Sequence, residues 1–382
     1  MQKILVNTGN PYEITIGLNL NFGKILKPFI KANAILVYDS NLPQKKLMEI
    51  KQSLQESGIE FSTIELQTTG EDIKTLAHFE AVTKELIENH NTTRKTTLVA
   101  IGGGTVGDFI GFVASSFMRG IPFIQVPTTL LSMVDSSVGG KVAINLGHYK
   151  NCIGAFYQPK HVLIDISFLQ TLPKIELISG YAEVLKYGFI VSRDFYDYLL
   201  KNAEIFKKVA SSNRNLILDE QTQEYLITII LESCKIKASV VSQDETETNG
   251  IREILNFGHT FGHAFEGLYI GKLPHGIAVG IGMILALEYS KINTKEVLEH
   301  YKMVGLYSSI NQYCVEENLA LPNAEEVFNL MKKDKKNTSS NIKLILLKTI
   351  GKAVVMGERE ESIKKFLELN IKIQLYFDNI PS

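Results

Sequence analysis

Short aliphatic and β-branched runs alternate with helical periods through the first half of the chain. Residues 34–37, 61–66, 97–101, 124–126 and 162–166 each read as a strand bounded by polar or glycine-containing turns. Strands alternating with helices predict an open parallel sheet with helices on its faces. Beyond residue 171 the strand signal fades. Apolar stripes at helical spacing take over, at 225–241 and 259–290, with one late apolar run at 342–347. The pattern predicts an α/β chain of two domains packed along a cleft: a parallel-sheet domain over residues 1–171 and a mainly helical domain over residues 172–382. No internal repeat, low-complexity tract or flexible linker interrupts it.

Composition narrows the picture. A chain of 382 residues, 45% hydrophobic and 21% charged, can bury a substantial core. That excludes a disordered chain, a collagen-like fibre and a disulfide-stapled miniprotein. Forty basic against 41 acidic side chains leave a formal charge of −1, which offers no electrostatic footprint to a polyanion. Nucleic acid is not an expected partner, and the pairs Lys332-Lys333 and Lys335-Lys336 are too short to change that. The longest apolar stretch, residues 276–287, falls well short of the ~20 residues a bilayer requires. The N-terminus carries neither an apolar secretory core nor a transit pattern. A cytoplasmic location without a membrane partner is expected. Cys152, Cys234 and Cys314 are odd in number and far apart, which suits reduced core residues better than a disulfide framework.

Three stretches carry candidate chemistry. Gly102, Gly103, Gly104 and Gly107 follow a predicted strand and precede a helical pattern, satisfying G-x-G-x-x-G. Residues without side chains let backbone N–H groups and a helix N-terminus approach a pyrophosphate. A tight strand-to-helix turn reads the same way, and the acidic residue expected ~20 positions further on is missing. His259 and His263 are four apart, so on a helix they share a face, and His275 follows a Gly/Pro-punctuated turn that could fold it back towards them. Such a pair is often an ordinary surface or core feature; three histidines together favour a metal, with two His and one carboxylate a plausible set. Residues 127–151, PTTLLSMVDSSVGGKVAINLGHYKN, bring Asp, Ser, Gly-Gly and Asn together with Lys141 and Lys150 as point charges. That composition suits either a phosphate or carboxylate cradle or a solvated loop.

The blocks GGGTVGDFIGF, MRGIPFIQVPTTLLSMVDSSVGGK, KNCIGAFYQP, GYAEVLKYG, LNFGHTFGHAFE, PHG and DKK occur in this order. They strongly resemble the 3-dehydroquinate synthase family of sugar-phosphate cyclases, from about residue 39 to residue 351. The resemblance implies a Rossmann-like N-terminal domain holding NAD, a helical C-terminal domain holding zinc (or cobalt), and 3-deoxy-D-arabino-heptulosonate 7-phosphate between them. It implies Glu183, His259 and His275 as metal ligands. The implied NAD contacts begin with Asp39 and Asn41, then Glu71 and Lys74, and continue through Gly103, Gly104, Thr105, Val106, Gly107 and Asp108 in the loop. Thr128 and Thr129 follow, then Asp135, Lys141 and Lys150, and finally the turn of Phe168, Leu169, Gln170 and Thr171. The missing acidic residue is then replaced by the earlier Asp39.

For catalysis the resemblance implies His263, Lys141, Asn151 and Lys335 or Lys336 around the phosphate. Lys237, Arg252 and Asn256 match positions around the carboxylate and ring hydroxyls, Lys186 joins the catalytic set, and Arg119 matches an arginine contributed across a homodimer interface. The implied reaction belongs to a phosphate-eliminating lyase of the shikimate pathway: transient oxidation by NAD, loss of phosphate, return of the hydride, and intramolecular aldol closure. The chain departs from the family pattern where His275-Gly276-Ile277 stands in place of H-G-E, and at residues 244–252, which run one residue longer than usual and leave Glu247 a less secure match than Arg252. The alternatives are another sugar-phosphate cyclase and an iron-type metal-dependent alcohol or glycerol dehydrogenase. Asn256 argues against the first, since deoxy-inosose-forming relatives carry an acidic residue there. The combination of Lys141, Asn151, Arg252 and Asn256 argues against the second.

Overall fold

The computed structural model describes the chain apart from residues 148, 213, 318, 320, 321, 333–340 and 372–382, and apart from the side chains of residues 313–315. Lys335 and Lys336 lie outside the described residues, as does the Cys314 side chain. In chain order the strands and α-helices are β1 (Gln2–Val6), β2 (Tyr12–Gly17), α1 (Phe22–Leu26), β3 (Ala34–Asp39), α2 (Gln44–Glu56), β4 (Phe61–Leu66), α3 (Leu76–Glu88), β5 (Thr97–Gly102), α4 (Gly104–Ser116) and β6 (Phe123–Pro127). Then come β7 (Lys141–Leu146), β8 (Tyr149–Phe156), β9 (His161–Asp165), α5 (Lys174–Ile190), α6 (Arg193–Lys201), α7 (Ala203–Ser211), α8 (Glu220–Gln243), α9 (His259–Leu268) and α10 (His275–Tyr289). The last are α11 (Lys295–Met303), α12 (Leu306–Glu316), α13 (Ala324–Lys332), β10 (Asn341–Thr349), β11 (Lys352–Arg359) and α14 (Glu360–Asn370).

The chain packs into two compact units. The first comprises Met1–Leu172 and Arg214–Thr246, the second Pro173–Asn213 and Glu247–Ser382. The first break falls beside the boundary expected at residues 171 and 172, but residues 214–246 do not join the helical domain. Helix α8 packs instead against β1 and β2 of the sheet unit, burying Tyr225, Leu226, Ile229, Ile230 and Cys234. Helical periodicity announces that a helix has an apolar face, not which partner that face covers.

In the first unit seven strands lie in the order β1-β2-β9-β6-β5-β3-β4. All neighbours are parallel except the β1–β2 pair. Strands β5, β6 and β9 are buried along their whole length, which explains their continuous apolar runs. Strand β3 pairs with β4 on one side and β5 on the other. The strand order therefore reverses between β3 and β5, and it is outside the carboxyl ends of such neighbours that open α/β sheets bind ligands. A separate antiparallel hairpin, β7–β8, occupies much of the stretch read from sequence as a cradle or loop. Cys152 lies exposed on β8, contrary to the core position expected for it; Cys234 is buried and donates its thiol to the Met133 carbonyl at 3.2 Å.

In the second unit the period at 259–290 proves to be two helices, α9 and α10, with Gly271 (φ 72) in the connection and Pro274 directly before α10. At Gly262 and Gly282 these helices meet backbone to backbone. A Cβ at Gly282 would lie 2.1 Å from the Gly258 carbonyl oxygen and 2.6 Å from the Gly262 nitrogen, and one at Gly262 would lie 3.0 Å from the Ala278 carbonyl. Gly276 is held as tightly, its absent Cβ 2.1 Å from the Ser179 carbonyl of α5. Residues 276–287 are all buried, so the longest apolar stretch is a core helix. Among the described residues no helix is long and apolar enough to cross a membrane.

Gly282→Ala must therefore part α9 from α10 and should cost about 1–3 kcal/mol of stability, as overpacking does. Gly280→Ala, on the same helix but with its nearest neighbour atoms 3.5 Å away, is the matched control and should be tolerated. Urea unfolding reads both, and equal midpoints for the two variants would contradict the close-contact argument.

Candidate active site

In the first unit the ends of β3 and β5 bring Asp39 beside the glycine loop, Tyr38 pairing with Ile101. Helix α4 begins at Gly104 with Gly103 extended before it, so the first N–H groups of a 13-residue helix point out of the loop. The glycines are needed sterically. A Cβ at Gly104 would sit 2.7 Å from the Ser136 hydroxyl, and one at Gly107 2.8 Å from the Gln125 amide oxygen. Ser136 Oγ is buried and has no hydrogen-bond partner among the described residues. An unpartnered hydroxyl facing a helix N-terminus suits a pyrophosphate, so these residues fit a dinucleotide. Asp39 accepts the Asn41 N–H at 3.0 Å, and burial raises its carboxyl above the usual range against that hydrogen bond.

A polar network surrounds Lys74, which is 1% exposed. Its ammonium pairs with Asp108 at 2.9 Å and donates to the Asn151 side-chain oxygen. Burial raises the Asp108 carboxyl, and the Lys74 charge pulls it back. Asn151 has a left-handed backbone (φ 52) and donates its N–H to Asn145 Oδ1 at 2.8 Å; Asn145 in turn donates to Glu71 Oε2 at 2.9 Å. Glu71, Lys74, Asp108 and Asn151, separate matches in sequence, thus form one cluster closed by Asn145. Asn145 and Ser136 were not singled out from sequence, although both lie in the polar stretch at 127–151.

Asp135 sits in a π-helical turn (Ser132–Ser136), and Lys237 of α8 donates to its carboxylate at 2.8 Å and to its carbonyl at 2.7 Å. Thr128 donates its N–H to the Gly102 carbonyl at 2.9 Å, and the Thr129 hydroxyl accepts the Ser132 N–H at 3.1 Å. Lys141 and Lys150 are exposed on the hairpin. Residues 168–171 form a turn after β9, a strand that β6 separates from β5. Within that turn Phe168 and Leu169 are buried, and Gln170 donates to the Leu216 carbonyl at 3.3 Å. Arg119 is exposed in a run of three left-handed residues, Met118 (φ 48), Arg119 (φ 67) and Gly120 (φ 112).

The second unit holds the three expected ligands together. Glu183 of α5 is 0% exposed, His259 opens α9 and His275 opens α10. Glu183 Oε1 lies 3.5 Å from Nε2 of His259 and 3.5 Å from Nε2 of His275, and one ligand atom from each residue falls within 4.8 Å of the others. A tetrahedral zinc with bonds of ~2.1 Å spans ligand-to-ligand edges of about 3.4 Å, so the donor set and its spacing fit a divalent ion. The remaining ring nitrogens are occupied: His259 Nδ1 lies 3.0 Å from the Phe257 carbonyl, and His275 Nδ1 lies 3.1 Å from Glu266 Oε2. Such partners fix each tautomer so that Nε2 would be free to face an ion. Glu266 was missed in sequence. Its signal is positional, since it falls seven residues after His259 and three after His263 on the face they share.

Burial drives His259 down to about 3 against the pull of Glu183. Desolvation would also depress His275, but hydrogen bonds to Glu183 and Glu266 and the charges of both raise it to about 10. Lys186, one turn along α5, pairs with Glu183 and is almost fully buried. Arg252 (2% exposed) and Asn256 occupy the 3-10 turn leading into α9, and Asn256 Nδ2 is buried without a partner among the described residues. His263 is exposed, its ring centroid 5.3 Å from that of His259 and 6.0 Å from that of His275. Ile277 is fully buried, where an ionised carboxylate would need a partner. Glu247 has a left-handed backbone (φ 58).

Residues 64–179 match the family model for the N-terminal part of 3-dehydroquinate synthase, and residues 180–337 that for its C-terminal part. A 3-dehydroquinate synthase of Francisella tularensis subsp. tularensis is 40% identical, the match covering 97% of this chain and 99% of the relative. One of Pelagibacter ubique is 38% identical, over 96% and 98%. Among solved structures, 2-deoxy-scyllo-inosose synthase complexed with carbaglucose-6-phosphate, NAD+ and Co2+ superposes with a TM-score of 0.80 at 24% identity, covering 96% of this chain and 99% of that one. A 2-epi-5-epi-valiolone synthase from Streptomyces hygroscopicus subsp. jinggangensis, with NAD+ and Zn2+ bound, gives 0.80 at 22%, over 94% and 96%. A glycerol dehydrogenase from Schizosaccharomyces pombe gives 0.65 at 15%, over 96% and 90%. At these identities the likeness to the three structures is one of fold.

The raised His275 has a consequence for metal binding. Its proton stabilises the metal-free fold fully below the ordinary value of 6.5, and that contribution is lost as pH rises through about 10. An ion must displace this proton, while His259 has none to lose. Zinc affinity of the metal-stripped protein should therefore rise about tenfold per pH unit from about pH 6.5 to about 8.5, with proton release. Competition against a chelator measures it; a flat profile would show His275 already neutral.

Proposed function

The chain belongs to the 3-dehydroquinate synthase family, and from that membership we propose that it converts 3-deoxy-D-arabino-heptulosonate 7-phosphate to 3-dehydroquinate and phosphate with NAD and a divalent metal ion. The observation that carries the reading is the triad of Glu183, His259 and His275, spaced for a metal at the openings of two helices, with His263 one turn further along α9. The NAD+ with Co2+ or Zn2+ held by the two solved cyclases is of the same kind as the ligands these residues fit. NAD supplies a reversible hydride acceptor, and a metal at the triad supplies Lewis acidity to substrate hydroxyls.

The remaining work falls to the chain's own groups. The glycine loop and Ser136 would hold the pyrophosphate, with Asp39 at the adenosine end. Lys74, pinned by Asp108, fixes the orientation of Asn151, so that the amide reaches the substrate from a rigid mount. Lys141 and Lys150 supply cations for the phosphate, and Lys186, Lys237 and Arg252 supply cations held nearly out of water, where their attraction for an anion is least screened. Asn256 offers its partnerless amide N–H to a hydroxyl or carboxylate. His263, exposed beside the triad, is placed to move a proton during phosphate loss. Arg119, presented by its left-handed turn, would serve a second copy of the chain in a homodimer.

Because the oxidation is undone within the same cycle, NAD well below the substrate concentration should support many turnovers of phosphate release without accumulation of NADH. Phosphate by a coupled assay and NADH by absorbance, followed in one cuvette, test this. NADH rising in step with substrate loss, with phosphate retained, would instead mark a dehydrogenase, the activity named for a structure that shares this fold.

A further inference from the structure

The second unit contains another set of potential ligands that overlaps the triad. Ligand atoms of His263, Glu266 and His275 also lie within 4.8 Å of one another. The two sets differ in depth: Glu183 and His259 are buried, whereas His263 is exposed and Glu266 half-buried. They share His275, whose two ring nitrogens face different carboxylates, Nδ1 towards Glu266 at 3.1 Å and Nε2 towards Glu183 at 3.5 Å. We propose that His263, Glu266 and His275 form an outer seat that captures a divalent ion on its way to the buried triad; the proposal rests on the triad being the resident metal site.

The physical need is for an entry path. A hydrated cation cannot reach a carboxylate with no solvent exposure without shedding water, and doing so in one step is costly. An outer set of one carboxylate and two imidazoles replaces part of the hydration shell while the remaining waters stay in contact with solvent. His275 then serves both seats. Its terminal ring torsion is broad and not confined to three staggered wells, so the ring can turn to offer Nε2 on the Glu266 side and, on turning back, carry the ion on Nε2 to the Glu183 side. His259 and Glu183 complete the inner set, and Glu266 recovers the Nδ1 hydrogen bond that orients the ring. One histidine shared between an exposed and a buried set is what a relay requires.

The test is cobalt uptake by metal-stripped protein, followed in a stopped-flow instrument by the visible absorption of bound Co2+. His263 takes no part in the inner set. His263→Asn should therefore slow entry and release by one common factor, about tenfold, the scale on which loss of a ligand-supporting partner acts, and leave the equilibrium affinity unchanged. In a second arm, Glu183→Gln should still hold one Co2+ more weakly at the outer seat, and Glu183→Gln combined with His263→Asn should hold none. Unchanged uptake kinetics in His263→Asn, or identical cobalt binding by the single Glu183→Gln and the double variant, overturns the outer seat while leaving the triad intact. Failure of the unaltered protein to take up cobalt overturns the triad and the relay together.

Discussion

The contact between α9 and α10 is the constraint on which the second unit depends. Gly258, Gly262 and Gly282 bring two helix backbones to a separation that no side chain could share. That approach has a chemical consequence at the helix openings. His259 is the first residue of α9 and His275 the first of α10, so the backbone contact fixes their separation before any ion is present. Gly276 extends the same logic to α5, where its contact with Ser179 sets the opening of α10 against the helix carrying Glu183. Glu183, His259 and His275, on three helices, are thus held in place by main-chain packing.

Each unit pairs buried charges with charges of opposite sign. Glu183 is matched by Lys186, Lys74 by Asp108 and Lys237 by Asp135. Removing one member of such a pair leaves an uncompensated buried ion, so each pair locks its own geometry more firmly than its net energy suggests. Both units use the same device. In the first it mounts Asn151 and Asp135; in the second it mounts the carboxylate of the triad.

Much of this was legible in sequence, and the exceptions have physical causes. The run at 61–66 is β4 residue for residue, legible from its β-branched and aromatic residues although this edge strand is only partly buried, and the other strand runs fall on β3, β5, β6 and β9, whose burial gives continuous apolar segments. The β7–β8 hairpin was not legible, since its exposed second strand carries Tyr149, Lys150, Asn151 and Cys152 in no alternating pattern. The same exposure explains why Cys152 is not a core residue. Helix α8 was visible as a helix but assigned to the wrong unit. The triad was implied by resemblance and its members lie together; Glu266 carried a positional signal on the face of His259 and His263, whereas Asn145 and Ser136 depend on a partner distant in the chain and on a hydroxyl's surroundings, which only three dimensions supply.

The central claim is that the backbone contact of α9 and α10 prepares the triad for its ion. A crystal structure of the zinc-loaded protein, with the metal located by anomalous scattering, tests it most directly. The expected result is one ion bonded to Glu183 Oε1, His259 Nε2 and His275 Nε2 at ~2.0–2.2 Å, with the glycine contact between the helices unmoved. Zinc held by other residues, or helices that separate to admit it, would contradict the account.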